Sequence, residues 1–401
     1  MRTHLLLITL LITICTIQSC QNKGKNEQTD FIKENVNFAA KQYGLQVNLI
    51  EESGNILNPK TFINGKIKYI KPQEWTSGFF PGSMWYLYEL TGDNKWKELG
   101  KKYTEALDTI KYLTSHHDVG FMIGCSFGNA LRLSGDEAYK DVIVQAARSL
   151  STRFRPAAGI IQSWNVSGGW QAERGWECPV IIDNMMNLGL LFDATKYSGD
   201  STFYSIAISH ADKTIEHHFR PDYSTWHVID YSLTDGAVRN KHTAQGYSHE
   251  STWARGQAWA IYGYTVCFRE TRDRKYLNQA EKAFEFVVNH PNFPKDGVPY
   301  WDFNAPGIPD ELRDASAAAI MASALYELST FEKAEYYKGW ADKIMQSLGS
   351  STFRSNPGEN GNFILKHSVG SIPHQSEIDV PLNYADYYFL EALTRKKNLE
   401  K

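Results

Sequence analysis

The chain is poor in the features that mark several large functional classes. It has five cysteines in 401 residues, and beyond Cys15 and Cys20 only Cys125, Cys178 and Cys267 remain, an odd number without metal-like spacing. They read as small buried hydrophobes. Positive charge is also in deficit, with 42 Lys and Arg against 45 Asp and Glu and a formal net charge of -3. Such a balance offers no basic field for nucleic acid, so an anionic ligand has to be held by local charges. There is no Gly-x-Ser-x-Gly elbow, no phosphate loop and no dinucleotide fingerprint, which sets aside serine-nucleophile chemistry and nucleotide cofactors. His117-Asp118 is not followed by a second His/carboxylate pair at helical spacing, so neither metal nor other cofactor is expected.

The one long apolar run, Leu5 to Ile17, is too short to span a bilayer. It follows Arg2 and ends at Ile17-Gln18-Ser19-Cys20, a pattern that resembles a bacterial lipoprotein signal peptide with Cys20 as the acylated residue. Residues 21–30 are polar and lack aromatic and branched side chains, as a tether would. The expected plan is a signal peptide over 1–20, a tether over 21–30 and a single domain over 31–401. That places the protein in the bacterial cell envelope, on the periplasmic side, touching the membrane only through the lipid at Cys20. The sequence leaves the oligomeric state open.

Across the domain one phrase recurs: an apolar helix, a Gly-Asp or similar turn, then an amphipathic helix. Glu89-Leu-Thr-Gly-Asp93, Leu133-Ser-Gly-Asp136, Tyr197-Ser-Gly-Asp200 and Glu270-Thr-Arg-Asp273 carry it, with looser copies at Leu325–Phe331 and Tyr384–Leu393. Glycine supplies the left-handed residue that ends one helix, and aspartate caps the next. The spacing of about 40 to 75 residues is too irregular for a solenoid. Six helical hairpins closing on themselves, an all-α (α/α)6 toroid, is the architecture expected. Strands are expected only near Ile63–Ile70 and Phe363–His367. The inner helices should start near Trp75, Asp118, Asp183, Trp253, Asp314 and Asp379, and each start brings an acid or an indole to one mouth.

Two residue sets at those starts suggest chemistry. Asp118 and Asp183, brought into one aromatic cavity, would separate in pKa, one ionised and one kept protonated, which suits glycosidic chemistry. Plain N-capping is the ordinary use of each aspartate taken singly. Arg255, between Trp253 and Trp259, offers a guanidinium for a carboxylate and an indole for a sugar ring on one helical face. The ordinary alternative there is a cation over a core tryptophan.

Five blocks together carry a resemblance. They are Trp75-Thr-Ser-Gly-Phe-Phe-Pro-Gly82, His116-His-Asp-Val-Gly-Phe-Met122, Asp183-Asn-Met-Met-Asn187, Trp253-Ala-Arg-Gly-Gln-Ala-Trp259, and Ser376-Glu-Ile-Asp-Val-Pro-Leu382 with Tyr384-Ala-Asp-Tyr-Tyr388. In this order the chain resembles the unsaturated glucuronyl hydrolases, glycoside hydrolase family 88. The resemblance implies an (α/α)6 barrel that removes the 4,5-unsaturated uronate from the non-reducing end of lyase-made oligosaccharides, by hydrating the C4=C5 bond. Asp183 matches the proton donor and water activator, and Asp118 the second catalytic acid. Trp75, His117, Trp164, His227, Gln245, Arg255 and Trp259 match the substrate-binding set, which Trp253 joins. Ser368 and Ser371 lie where some relatives hold a substrate sulfate with serines and a lysine, but Pro373 stands in the lysine's place. The loop Gly168–Trp176 is longer than the family pattern, which leaves Trp164, Trp170 and Trp176 as alternatives for one stacking position. Two other readings share these residues. One is a rhamnogalacturonyl hydrolase acting on pectin fragments, against which Gln257, Ala258 and the His-His-Asp block incline. The other is a non-catalytic glycan-binding lipoprotein.

Overall fold

The computed structural model describes residues 30–401. The expected signal peptide, Cys20 and nearly all of the tether lie outside these residues. Helix α1 (30–52) leads into a hairpin of β1 (Asn58–Ile63) and β2 (Lys66–Ile70). Helical pairs then follow: α2 (Phe79–Thr91) with α3 (Asn94–Glu105); a π-helix (Gly120–Gly128) running into α4 (Asn129–Ser134), paired with α5 (Ala138–Ser151). After the two-residue strands β3 (Phe154–Arg155) and β4 (Ile160–Ile161), and the short α6 (Gly169–Glu173), comes β5 (Cys178–Ile181). A 3-10 turn (Ile182–Asn187) opens α7 (Leu188–Ser198), which pairs with α8 (Ser201–His218). Strands β6 (Val228–Tyr231) and β7 (Val238–His242) precede α9 (Ala254–Thr271) and α10 (Arg274–Asn289). The chain ends with α11 (Ala315–Leu328), α12 (Ala334–Leu348) and α13 (Asn383–Leu399).

The helices that begin near the six expected starts form a closed inner ring. α2 packs on the π-helix, then α7, α9, α11 and α13 follow in turn, and α13 returns to α2. Nearly every residue of α9, α11 and α13 is buried, because these helices are covered both by ring neighbours and by the outer helices. α1 closes the outer layer, stacking Tyr43 on Phe80 of α2 and reaching from Gln42 to Ser355 and the Phe363 carbonyl.

The turns are built as the repeated phrase requires. Gly92, Gly135, Gly199 and Arg272 are left-handed, with φ of 72°, 72°, 75° and 59°. Asp93, Asp200 and Asp273 accept from backbone amides two residues on. Asp136 does the same to Ala138.

The strands depart from expectation. The β1–β2 hairpin covers the first expected region, whereas Phe363–His367 contributes only the isolated pairing of Arg354 with Leu365. An antiparallel sheet in the order β5-β6-β7 was not foreseen. Its signal was present in the β-branched runs Val180–Ile182 and Val228–Ile229. Asp379 also departs from its expected place: it lies short of α13 with φ 53°, exposed and hydrogen-bonded to His367 at 2.7 Å. Cys125, Cys178 and Cys267 are free and buried. Among the described residues, no helix is long and apolar enough to cross a membrane.

Candidate active site

At the mouth where the inner helices start lies a cavity of about 320 Å³. Asp118, Asp183, Trp75, Trp164, Gln245 and Arg255 line it, together with Trp170, Ile181, Ala244 and His374. The unforeseen sheet positions much of this wall. β5 ends at Ile181, two residues before Asp183, and β6 begins just after His227. The Ile182 amide donates to the His227 carbonyl at 3.0 Å. β7 ends at His242, three residues before Gln245.

Neither central aspartate is used as a cap. The π-helix and the 3-10 turn have Val119 and Ile181 at their N-caps, with no side-chain bond, unlike Asp314, which accepts from Ser316 to cap α11. Both carboxylates are therefore free for other work, and their surroundings push them apart. Burial raises Asp183 to about pKa 7; Arg255 opposes the shift and the Asp118 charge adds to it. Burial alone would also raise Asp118, but His117 and His116 outweigh it and hold the group below the usual carboxylate range.

Each carboxylate faces an imidazole whose proton can be placed. Asn187 Nδ2 donates to His117 Nδ1 at 3.3 Å, so the ring carries its proton on Nε2, 3.3 Å from Asp118 Oδ1. Burial keeps His117 neutral. His227 Nδ1 accepts from the Ala244 and Gln245 amides at 3.0 and 3.2 Å, which leaves the proton on Nε2, a nitrogen 3.7 Å from Asp183 Oδ2. Burial and then Arg255 keep this ring neutral too. His116 differs. Burial works against its charge, yet the Asp118 carboxylate, 3.0 Å from Nδ1, raises its pKa.

Arg255 is fully buried but not poised as expected. Its Nη1 donates to Asp314 at 3.0 Å and to the Val369 carbonyl, and its Nη2 to the Gly370 carbonyl at 2.7 Å. Only Nε lacks a partner. The guanidinium stacks on Trp253, 4.4 Å from the ring, so the cation–π partner is that indole. Trp259 packs edge-on against Phe121 and Tyr388 beneath the cavity. His117, His227, Trp253 and Trp259 thus stand behind the lining side chains.

The three alternatives in the long loop resolve into two roles. Trp164 and Trp170 both line the cavity, their ring centres 5.1 Å apart, while Trp176 stacks behind Trp164 and donates to His242. Ser368 is buried with an unpartnered hydroxyl, and Ser371 bonds His374 at 2.8 Å; neither is among the lining residues. Gln257 is buried and fully used by the Thr225 amide and the Tyr223 and Ala283 carbonyls. It cannot discriminate between substrates from there. Trp170 was one of the alternatives for a stacking position, whereas His374 was not singled out for the site, and nothing in its local sequence separates it from other loop residues. Among the described residues, no group of three or more His, Cys, Asp or Glu is placed to hold a metal ion.

The family model for Glycosyl Hydrolase Family 88 matches residues 58–389. An unsaturated glucuronyl hydrolase from Formosa agariphila is 45% identical over 393 residues, which are 98% of this chain and 96% of that one. The unsaturated glucuronyl hydrolase of Bacillus sp. strain GL1 is 33% identical, with 83% and 89% covered. The crystal structure of an unsaturated glucuronyl hydrolase specific for heparin superposes with a TM-score of 0.87 at 43% identity, covering 92% of this chain and 98% of that one. A closed helical ring agrees with these likenesses, and the chain belongs to Glycosyl Hydrolase Family 88.

Proposed function

We propose that this chain removes the 4,5-unsaturated uronate from the non-reducing end of glycosaminoglycan oligosaccharides left by lyases, with Asp183 and Asp118 as its two acids. The observation that carries the assignment of roles is the opposite displacement of the two carboxylates within one tryptophan-walled cavity. In the substrate, C4=C5 and the ring oxygen form an enol ether. Asp183, protonated near neutrality, gives its proton to C4; the π bond breaks and an oxocarbenium develops at C5. The ionised Asp118 stabilises that charge. Asp183, now a carboxylate, takes a proton from the water whose oxygen bonds to C5, and so recovers its acid form. The C5 hemiketal opens to a ketone, and the hemiacetal left at C1 releases the second sugar.

The neutral Nε2–H of His227, its nitrogen 3.7 Å from Asp183, supports the carboxylate stage, while His117 and His116 keep Asp118 charged. Trp75 and Trp164 stack on the sugar. Arg255, fixed by Asp314 and two carbonyls, lends positive charge to the uronate carboxylate beside Gln245, which is itself tied to Gly370. The assay is loss of the ultraviolet absorbance of the double bond. Asp183→Asn is expected to lower that rate at least ~10²-fold with unchanged helical circular dichroism; unchanged turnover would remove Asp183 from the mechanism. Faster turnover of a rhamnogalacturonan lyase product than of chondroitin or heparin lyase products would move the substrate to pectin. The chain is placed in the cell envelope by a lipid on Cys20; Cys20→Ala should shift the protein from the membrane to the soluble fraction, and an unshifted distribution would refute the anchor.

A further inference from the structure

Strand β1 carries a buried cation that the reaction above does not use. Side chains alternate between faces along a strand, but the β1–β2 register shifts between Pro59 and Thr61, so Lys60 is the extra residue of a β-bulge. The bulge turns it inward, and Asn58 to Thr61 are all buried, without alternation. Lys60 is only 9% exposed, and its Nζ lies 2.8 Å from Glu74 Oε1 and 2.7 Å from Glu377 Oε1. Burial works against the ammonium, yet Glu74 and Glu377 outweigh it and raise its pKa. A buried cation between two acids is a weak source of net stability, because desolvation offsets the attraction. β1 is also held by other means: Asn383 Nδ2 donates to the Pro59 and Thr76 carbonyls, and Thr61 pairs with Leu382.

What Lys60 joins is two segments that build the cavity. Glu74 precedes Trp75 and braces the turn there by accepting from the Thr76 amide at 2.8 Å. Glu377 is left-handed, with φ 57°, and packs on Gly370, where an added Cβ would meet the Glu377 Cβ at 2.7 Å. Its carbonyl accepts from the Gly370 amide at 2.6 Å. The Gly370 carbonyl in turn accepts from Arg255 at 2.7 Å and from Gln245 at 3.1 Å. Lys68 also approaches Glu377, but it stands 3.9 Å away and its side chain is 55% exposed, where a pair is screened.

We propose that Lys60 is a positioning residue for the uronate pocket: by holding Glu74 and Glu377 together, it sets the spacing between Trp75 and the Gly370 carbonyl on which Arg255 and Gln245 are aligned. The inference rests on the function proposed above, and it assigns Lys60 to substrate binding, not to proton transfer. Without the ammonium, two buried carboxylates repel each other, and the segment that carries Gly370 moves away from the Trp75 turn.

The test measures kcat and KM separately at 25 °C, on whichever chondroitin or heparin lyase disaccharide the wild type turns over fastest, for wild type, Lys60→Met, Lys60→Arg, Glu377→Gln and the Lys60→Met/Glu377→Gln double variant. Circular dichroism gives the folded fraction of each. Lys60→Met should raise KM about 10-fold, a coupling of the size found within one salt-bridge network, with kcat per folded molecule within about 3-fold. The fall of kcat/KM above about pH 7 should stay where it is, because the surroundings of Asp183 are unchanged. Lys60→Arg should recover part of the loss, and the double variant should lose no more than the worse single one, since both changes cut the same link. If Lys60→Met does not fold, the double variant, which carries one buried charge fewer, and Glu377→Gln alone should show the same rise in KM. An unchanged KM in the folded variants, a loss confined to kcat, or single losses that multiply in the double variant would each overturn the positioning role. A wild type inactive on every such disaccharide would instead refute the proposed hydrolase function itself.

Discussion

Asp183 is held at a cost to the fold, and that cost sets both a pH profile and a stability profile. Its folded pKa of about 7 stands above the ordinary aspartate value of 3.8 because burial disfavours the charged form. Between those two values the folded state keeps a proton that the unfolded chain has lost, so the wild type loses stability as pH rises from about 4 to 7. Above pH 7 the penalty is fully present; below about pH 4 it vanishes. Asn cannot ionise, so Asp183→Asn should be more stable than wild type at pH 8, on the order of 2–4 kcal/mol, and equal to it near pH 4. Denaturant unfolding at the two pH values reads this directly, and a variant less stable at pH 8 would contradict the burial argument. In the wild type, kcat/KM should fall above about pH 7 as the donor loses its proton, whereas Asp118, held below the usual range, adds no limb near neutrality.

At the scale of elements, the sequence was legible where local chemistry decides the conformation. The four Gly-Asp-type turns announce themselves because a left-handed residue and a capping carboxylate are each satisfied within a few positions. The roles of Arg255 and Gln257 were less legible, since their partners, Asp314, Gly370 and Ala283, come from distant parts of the chain. The same is true of the β5-β6 pairing, whose strands stand on either side of the α7–α8 helical pair in the chain. One close approach between elements is decisive for the site. Gly120 opens the π-helix directly against Asn187, where an added Cβ would meet the Asn187 Cα at 2.5 Å. Asn187 in turn accepts from the Phe121 amide and donates to His117. Gly120→Ala must push the π-helix away from the turn that carries Asp183. A loss of about 1–3 kcal/mol is expected from overpacking, together with a fall in kcat, because the imidazole facing Asp118 loses its anchor. Wild-type kcat in a destabilised Gly120→Ala protein would show that the two acids tolerate displacement.

The whole molecule is a ring, so its last inner helix has to be tied to the first and to the middle of the chain. Glu391 of α13 does this with one buried carboxylate: it accepts from Tyr86 of α2 at 2.7 Å, Tyr262 of α9 at 2.9 Å and Ser323 of α11 at 2.6 Å. Arg395 stands 3.5 Å away and also pairs with Glu327, which binds Arg269. Eight residues into α13, Glu391 lies about 12 Å deeper than that helix's first residue. Rings of Phe79, Phe121, Trp259 and Tyr388 pack between it and the cavity. Closure and catalysis are thereby placed at different depths of one barrel. Glu391→Gln keeps the shape but removes the charge that balances Arg395 and offers an amide donor where only acceptors fit. The expected cost is about 2–4 kcal/mol, read as a fall of several degrees in Tm, while kcat/KM at 25 °C stays within about 2-fold because no group touching the sugar has moved. A large drop in kcat/KM without a drop in Tm would mean that the deep network reaches the reacting carboxylates, and that the aromatic layer does not insulate the two ends of the ring.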